Sequence, residues 1–146
     1  MNLAYHELAF RLLAACVCGG LIGLEREIHR KDAGFRTNAL VCLGSCLIML
    51  VSLEVHQMFK NEGPADPGRI AAQVVSGIGF LGAGAIIRSQ EGIRGLTTAA
   101  GVWVASGIGL ACGLGLYAPA FFTTVITVVI LFVFSKVDKV LRGEKE

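Results

Sequence analysis

The sequence predicts an all-α integral membrane protein, a bundle of about five transmembrane helices. Of 146 residues, 54% are hydrophobic and only 16% charged, where a soluble domain carries roughly 25% charged residues. The mean hydropathy is +0.67. The apolar residues also gather into long runs that match the length of a bilayer-crossing helix. The length allows one domain. A soluble chain of this size could not bury so much apolar surface and still offer a polar exterior.

Five runs define the spans: 8–24, 37–53, 70–87, 96–116 and 117–134. At about 1.5 Å per residue each covers roughly 25–30 Å as a helix. The first is broken by Arg11, whereas the third, Ile70 to Ile87, holds no charged side chain. The fourth and fifth join almost without a polar break. Pro119 punctuates them, because proline suits a first helical turn and not an interior. The fifth run is rich in Val, Ile, Thr and Phe, which would suggest a strand in a soluble protein. In lipid the backbone must satisfy its own hydrogen bonds, so a helix is expected. Residues 136–146 form a basic tail.

Orientation follows from the basic residues. One side of a five-span arrangement collects Arg26, Arg30, Lys31, Arg36, Arg88, Arg94, Lys136, Lys139, Arg142 and Lys145; the other has Arg11, Lys60 and Arg69. The basic side is expected to be cytoplasmic, with the N-terminus out and the C-terminus in. A four-span arrangement would place the basic tail outside and fits less well. No cleavable signal peptide is evident, since Met1 to His6 lacks a basic region. The five cysteines fall inside spans, without disulfide or zinc spacing, and read as small packing residues.

Gly77 to Gly82 spells G-x-G-x-x-G, the turn that holds a dinucleotide pyrophosphate. No βαβ unit surrounds it and no acidic residue lies near 97–105 to hold a ribose, so the nucleotide reading fails and no cofactor is expected. Gly77, Gly79, Gly82 and Gly84 instead read as helix-packing positions, as do Gly19 and Gly23 on the first span and Gly101, Ala105, Gly109 and Gly113 on the fourth. Small residues let helix backbones approach closely where lipid gives no hydrophobic drive for association. A second reading has glycine backbone framing a narrow path for an ion.

Ionisable residues beside the spans are candidates for function. Glu25, Arg26, Arg36, Asp66, Arg69, Arg88, Thr97 and Thr98 form a candidate polar network. Asp66 can cap the third span and pair with Arg69, and Thr97 or Thr98 suits the N-cap of the fourth. Asp66 and Glu25 are the carboxylates to consider for a metal ion. All eleven carboxylates lie near span ends or in loops, which disfavours a carboxylate-lined Mg²⁺ site at mid-membrane. Glu25 and His29 share a helix face, which reads as solvated. With no H-E-x-x-H, G-x-S-x-G or Walker motif, the chain is expected not to be an enzyme. A nucleic-acid partner is not expected either.

Leu21-Ile-Gly-Leu-Glu25-Arg26, Ala33-Gly-Phe-Arg36-Thr-Asn-Ala-Leu-Val41, Asp66-Pro-Gly-Arg69-Ile-Ala-Ala-Gln73, Ser76-Gly-Ile-Gly-Phe-Leu-Gly-Ala-Gly84 and Gly95-Leu-Thr-Thr-Ala-Ala100 resemble, in order, the MgtC/SapB membrane proteins. The resemblance runs from about Arg11 to Tyr117. It implies a multi-pass protein of the bacterial inner membrane, linked to growth in low Mg²⁺, acid stress and virulence. It further implies a regulator that contacts a membrane partner such as the membrane sector of the F1Fo ATP synthase, with transport of Mg²⁺ or protons as the alternative. A homo-oligomer is a further possible assembly. Longer members carry a soluble ACT-like domain, so a short form ending at Glu146 is expected to lack it or to borrow it from a partner.

Overall fold

A computed structural model describes residues 4–61, 66–90 and 92–141, with side chains described as far as Ser135. The elements are α1 (Tyr5–Ile28), α2 (Phe35–Met58), α3 (Gly68–Ala85), β1 (Ile87–Ser89), β2 (Gly92–Arg94), α4 (Leu96–Leu114) and α5 (Tyr117–Leu141). Successive helices alternate in direction, giving the bundle two ends. At the hairpin end, the last turn of α1 meets the first turn of α4. At the opposite end, Arg11 of α1 meets the last turn of α4.

Helix α2 is the central post, and glycines bring its neighbours onto it. A Cβ added to Gly19 would collide with the Asn38 carbonyl, and one at Gly23 would lie 2.6 Å from the Gly34 carbonyl oxygen. Across α2, a Cβ at Gly109 would collide with the Cys42 carbonyl, and one at Gly113 would lie 2.8 Å from that of Cys46. Backbone-to-backbone crossings of this kind are how membrane helices gain dispersion contacts. The enclosed core is accordingly small: Ala15, Cys42, Cys46, Ala105 and Cys112 are fully buried, with Ile22 and Ile108 as the larger fillers.

Large apolar side chains point the other way. Phe80 is 83% exposed, and Leu13, Phe122 and Val129 are exposed as well. A small interior beneath a large apolar exterior suits lipid as the surrounding solvent. Among the described residues four helical segments are long and apolar enough to cross a membrane: α1, α2, α4 and Tyr117–Ser135 of α5. The all-α membrane class predicted from the sequence is the class observed. Helix α3 has 18 residues and is not among those four, with Arg69 and Gln73 in its first turns. Only Ala71, Val74, Ile78 and Gly82 are buried on α3, a single stripe at helical spacing.

Between α3 and α4 the chain makes an antiparallel hairpin, Ile87 opposite Arg94 and Ser89 opposite Gly92. Gly95 follows it at φ 87°, and any Cβ there would strike the Ala85 carbonyl, so glycine is required. Gly95 is also the N-cap of α4, without a side-chain cap; Thr97 and Thr98 lie inside the helix and do not cap it. At its other end α4 closes in a Schellman turn, Leu116 N–H to Ala111 O and Gly115 N–H to Cys112 O, both 2.9 Å. Two residues then suffice to reach α5. Pro119 falls in the first turn of α5, where its missing N–H would have had no helical partner. The β-branched run is helical; Thr124 and Thr127 hydroxyls donate to the Ala120 and Thr123 carbonyls. Helix α5 continues to Leu141, into the segment read as tail.

Candidate functional site

At the hairpin end, two charged residues are taken out of solvent side by side. Glu25 and Arg26 are each 8% exposed. The Arg26 guanidinium lies 3.9 Å from the Glu25 carboxylate, and its Nη2 donates to the Thr98 hydroxyl at 3.4 Å. Neighbouring opposite charges reduce the desolvation that either would suffer alone. His29, one turn on, sets Nδ1 2.8 Å from the Glu25 carbonyl and 3.0 Å from Oε1. That bifurcated position leaves both Glu25 carboxylate oxygens without an aligned donor. The ring edge of His29 meets Phe132 of α5 with centroids 6.0 Å apart. The Glu25–His29 face, read from the sequence as solvated, is therefore largely covered, because α4 and α5 pack over it.

The short α1–α2 connection is held by side chains from both helices. Glu27 accepts the Phe35 N–H at 2.8 Å, filling the open start of α2. Asn38 donates back to the carbonyls of Ala33 and Gly34. Arg30 and Ala33 take φ of 52° and 54°, values that side chains rarely adopt. For Arg30 the cause is a second Schellman turn: Lys31 N–H bonds the Arg26 carbonyl at 2.9 Å and Arg30 N–H that of Glu27 at 3.1 Å.

The opposite end has a different chemistry. Arg11 donates from Nη1 to the Gly113 carbonyl at 2.6 Å and from Nη2 to Glu7 at 2.5 Å. A cation on the last carbonyls of α4 opposes the negative end of the helix dipole. Ser52 donates to the Pro67 carbonyl, joining α2 to the start of α3. Asp66 accepts the Gly68 N–H at 2.7 Å from the position before the Pro67 N-cap, so it closes a turn ahead of α3 rather than capping it. The exposed Arg69 donates its backbone N–H to the Asp66 carbonyl at 3.2 Å.

The candidate network thus divides. Glu25, Arg26 and Thr98 come together, and Thr97 lies at the mouth of the same region. Arg36 and Arg88 are exposed on α2 and β1. Asp66 and Arg69 lie at the far end of the bundle from Glu25. Among the described residues no three His, Cys, Asp or Glu side chains gather as a metal site. Asn38 is a structural member that the sequence reading passed over, and Arg11 and His29 were noted there without the contacts they make. Asn38 and Arg11, polar residues inside apolar runs, both carried a local signal.

The glycines divide too. Gly19, Gly23, Gly109 and Gly113 face α2, with Ala105 buried beside them, and Gly82 faces Ala99 of α4 at 3.7 Å. Around Gly77, Gly79, Gly84 and Gly101 nothing lies within 4 Å of an added Cβ. The outer side of α3 therefore mixes open glycines with exposed Val75, Phe80 and Leu81, while Gly77 lines a cleft that α3 shares with Gly44 and Ile48 of α2.

Small-residue crossings, an apolar exterior and buried charges confined to the helix ends define a multi-pass α-helical membrane protein. The sequence profile of the MgtC family matches residues 12–140, and the chain belongs to that family. It is 42% identical over 132 residues to "Putative magnesium transporter YhiD" of Escherichia coli strain K12, covering 89% of this chain and 61% of that one. It is 52% identical over 92 residues to "Protein MgtC" of Salmonella typhimurium strain LT2, covering 63% of this chain and 37% of that one. An "Uncharacterized protein" of Haemophilus influenzae is 44% identical over 103 residues, 67% of this chain and 43% of that one. The chain thus spans less than two thirds of the length of these relatives. No solved structure matches.

Proposed function

We propose that this chain is a non-enzymatic regulator of Mg²⁺ and energy homeostasis in the bacterial inner membrane. Its N-terminus faces out and its C-terminus faces the cytoplasm. It acts by helix–helix contact with a membrane complex, for which the membrane sector of the F1Fo ATP synthase is the candidate. The supporting observation is the outward glycine face of α3. Gly79 and Gly84 spend backbone freedom on an open surface with no internal neighbour to accommodate. A partner helix is the contact that would use such a face.

The alternative, an ion path along Gly77–Gly84, draws less support from the geometry. The carbonyls of a continuous α3 are engaged in helix bonds; Gly79 and Gly84 face open space, Gly82 packs on Ala99, and Gly77 lines a cleft shared with α2. Mild-detergent copurification from native membranes tests the first reading. The wild-type chain brings down a stoichiometric membrane partner, and Gly79→Leu loses it while keeping its own thermal stability. Retention of the partner by Gly79→Leu, or wild-type chain without any partner, sinks the reading. Flux of Mg²⁺ or protons into liposomes holding only this protein, sensitive to Asp66→Asn, would establish the alternative.

A further inference from the structure

A cavity of about 790 Å³ opens at the hairpin end, between the α1–α2 connection, β2, the start of α4 and the middle of α5. Among the described residues its charged lining is Arg26, Arg30, Lys31 and Arg94 with one carboxylate, Asp32. Those four cations against Asp32 and the Glu25 carboxylate 3.9 Å from Arg26 leave a formal +2. Such a concentration of one sign in a recess focuses potential toward an anion.

The start of α4 adds to it. Gly95 begins α4 without a side-chain cap, and the first bond inside the helix is Ala99 N–H to Gly95 O. The N–H groups of Leu96, Thr97 and Thr98 therefore precede that first bond, at the positive end of a 19-residue helix. Independently of the helix, Arg26 reaches the cavity from within. Its side chain is 10% exposed, yet its nearest carboxylate is 3.9 Å away and its hydroxyl partner 3.4 Å. Charge-assisted hydrogen bonds run at roughly 2.7–2.9 Å. A guanidinium with five donors is thus buried, under-coordinated and part of the cavity wall.

We propose that this cavity binds a phosphoryl anion, with Arg26 as the buried anchor, Arg30 and Lys31 closing over it, and the start of α4 beneath it. Several acceptor oxygens on one atom can serve a guanidinium, an ammonium and backbone N–H groups at once. The opposite wall is apolar, built from Ile93, Ile130 and Phe134. A phosphodiester with an acyl chain uses both walls, and a soluble phosphate uses one. The proposal is independent of the α3 reading, and its test needs no partner protein.

The full chain in neutral detergent is titrated separately with inorganic phosphate, short-chain phosphatidylglycerol and short-chain phosphatidylcholine. Thermal midpoint and ³¹P linewidth report binding. Saturable binding of phosphatidylglycerol but not phosphatidylcholine supports the site and identifies a lipid headgroup. Saturable binding of inorganic phosphate supports it with a soluble source. Arg30→Gly is the decisive variant. It relaxes a positive φ, so the fold gains stability while affinity falls about tenfold, the worth of one charge-assisted contact. Lys31→Gln weakens binding similarly, and Lys60→Gln at the other end leaves it unchanged. Absence of binding by both phosphate and phosphatidylglycerol overturns the proposal, as does wild-type affinity in Arg30→Gly and Lys31→Gln.

Discussion

Two sets of glycines, written alike in the sequence, do opposite things in the fold. Gly19 and Gly23 on α1 and Gly109 and Gly113 on α4 face α2, and a methyl group at Gly19 or Gly109 would run into backbone carbonyls. On α3, Gly79 and Gly84 face open space. The first set positions the chain on itself. The second leaves a surface to be used by something else. Spacing on one helix cannot separate the two, because the obstacle that makes a glycine necessary belongs to another helix.

One substitution made at both places gives the sharpest test. Gly109→Ala is expected to destabilise the chain by about 1–3 kcal/mol, the usual penalty for forcing atoms into a filled contact. Thermal unfolding in detergent reads it, and an unshifted midpoint would break the contrast. Arg11→Met bears on the same side of the comparison, since Arg11 secures the Gly113 carbonyl where α4 crosses α2. It is expected to lose about 1–3 kcal/mol through that unmet carbonyl, measured in the same way. Gly79→Ala reverses the sign. With no neighbour to displace, it is expected to gain about 0.5–1 kcal/mol from reduced backbone freedom in the unfolded chain. A loss of stability there would mean that α3 is already packed on that face. Ala33→Gly makes the complementary change at a positive φ and is expected to raise stability by less than about 1 kcal/mol. A lower midpoint would show that Ala33 is not strained.

The helices were legible because lipid demands length and apolarity, and each of the five runs falls largely within one helix. The hairpin was not. Its strands are three residues each and wholly exposed, too short to show alternation. The capping of α4 was misread for a related reason. Threonines near a helix start are common caps, but the positive φ of Gly95 and its approach to Ala85 moved the boundary two residues back. At the candidate site, Glu25 and Arg26 stood out as charges at a span end. The covering of His29 was hidden, because it depends on Phe132, more than a hundred positions away. Arg11 looked like a flaw in the first span. Its partner carbonyl is 102 residues further on.

The corner between α4 and α5 has a consequence for how the protein is made. Only Gly115 and Leu116 separate the two helices, and the Schellman turn fixes the reversal locally. Such a unit can enter the bilayer as one helical hairpin rather than as two successive segments. Helix α4 carries glycines and a buried serine and is the weaker passenger; α5 is bordered by phenylalanines and valines over most of its length. A helix that among the described residues gives the core cluster only Ala120 and Leu131 is then the one that carries a core helix into the membrane.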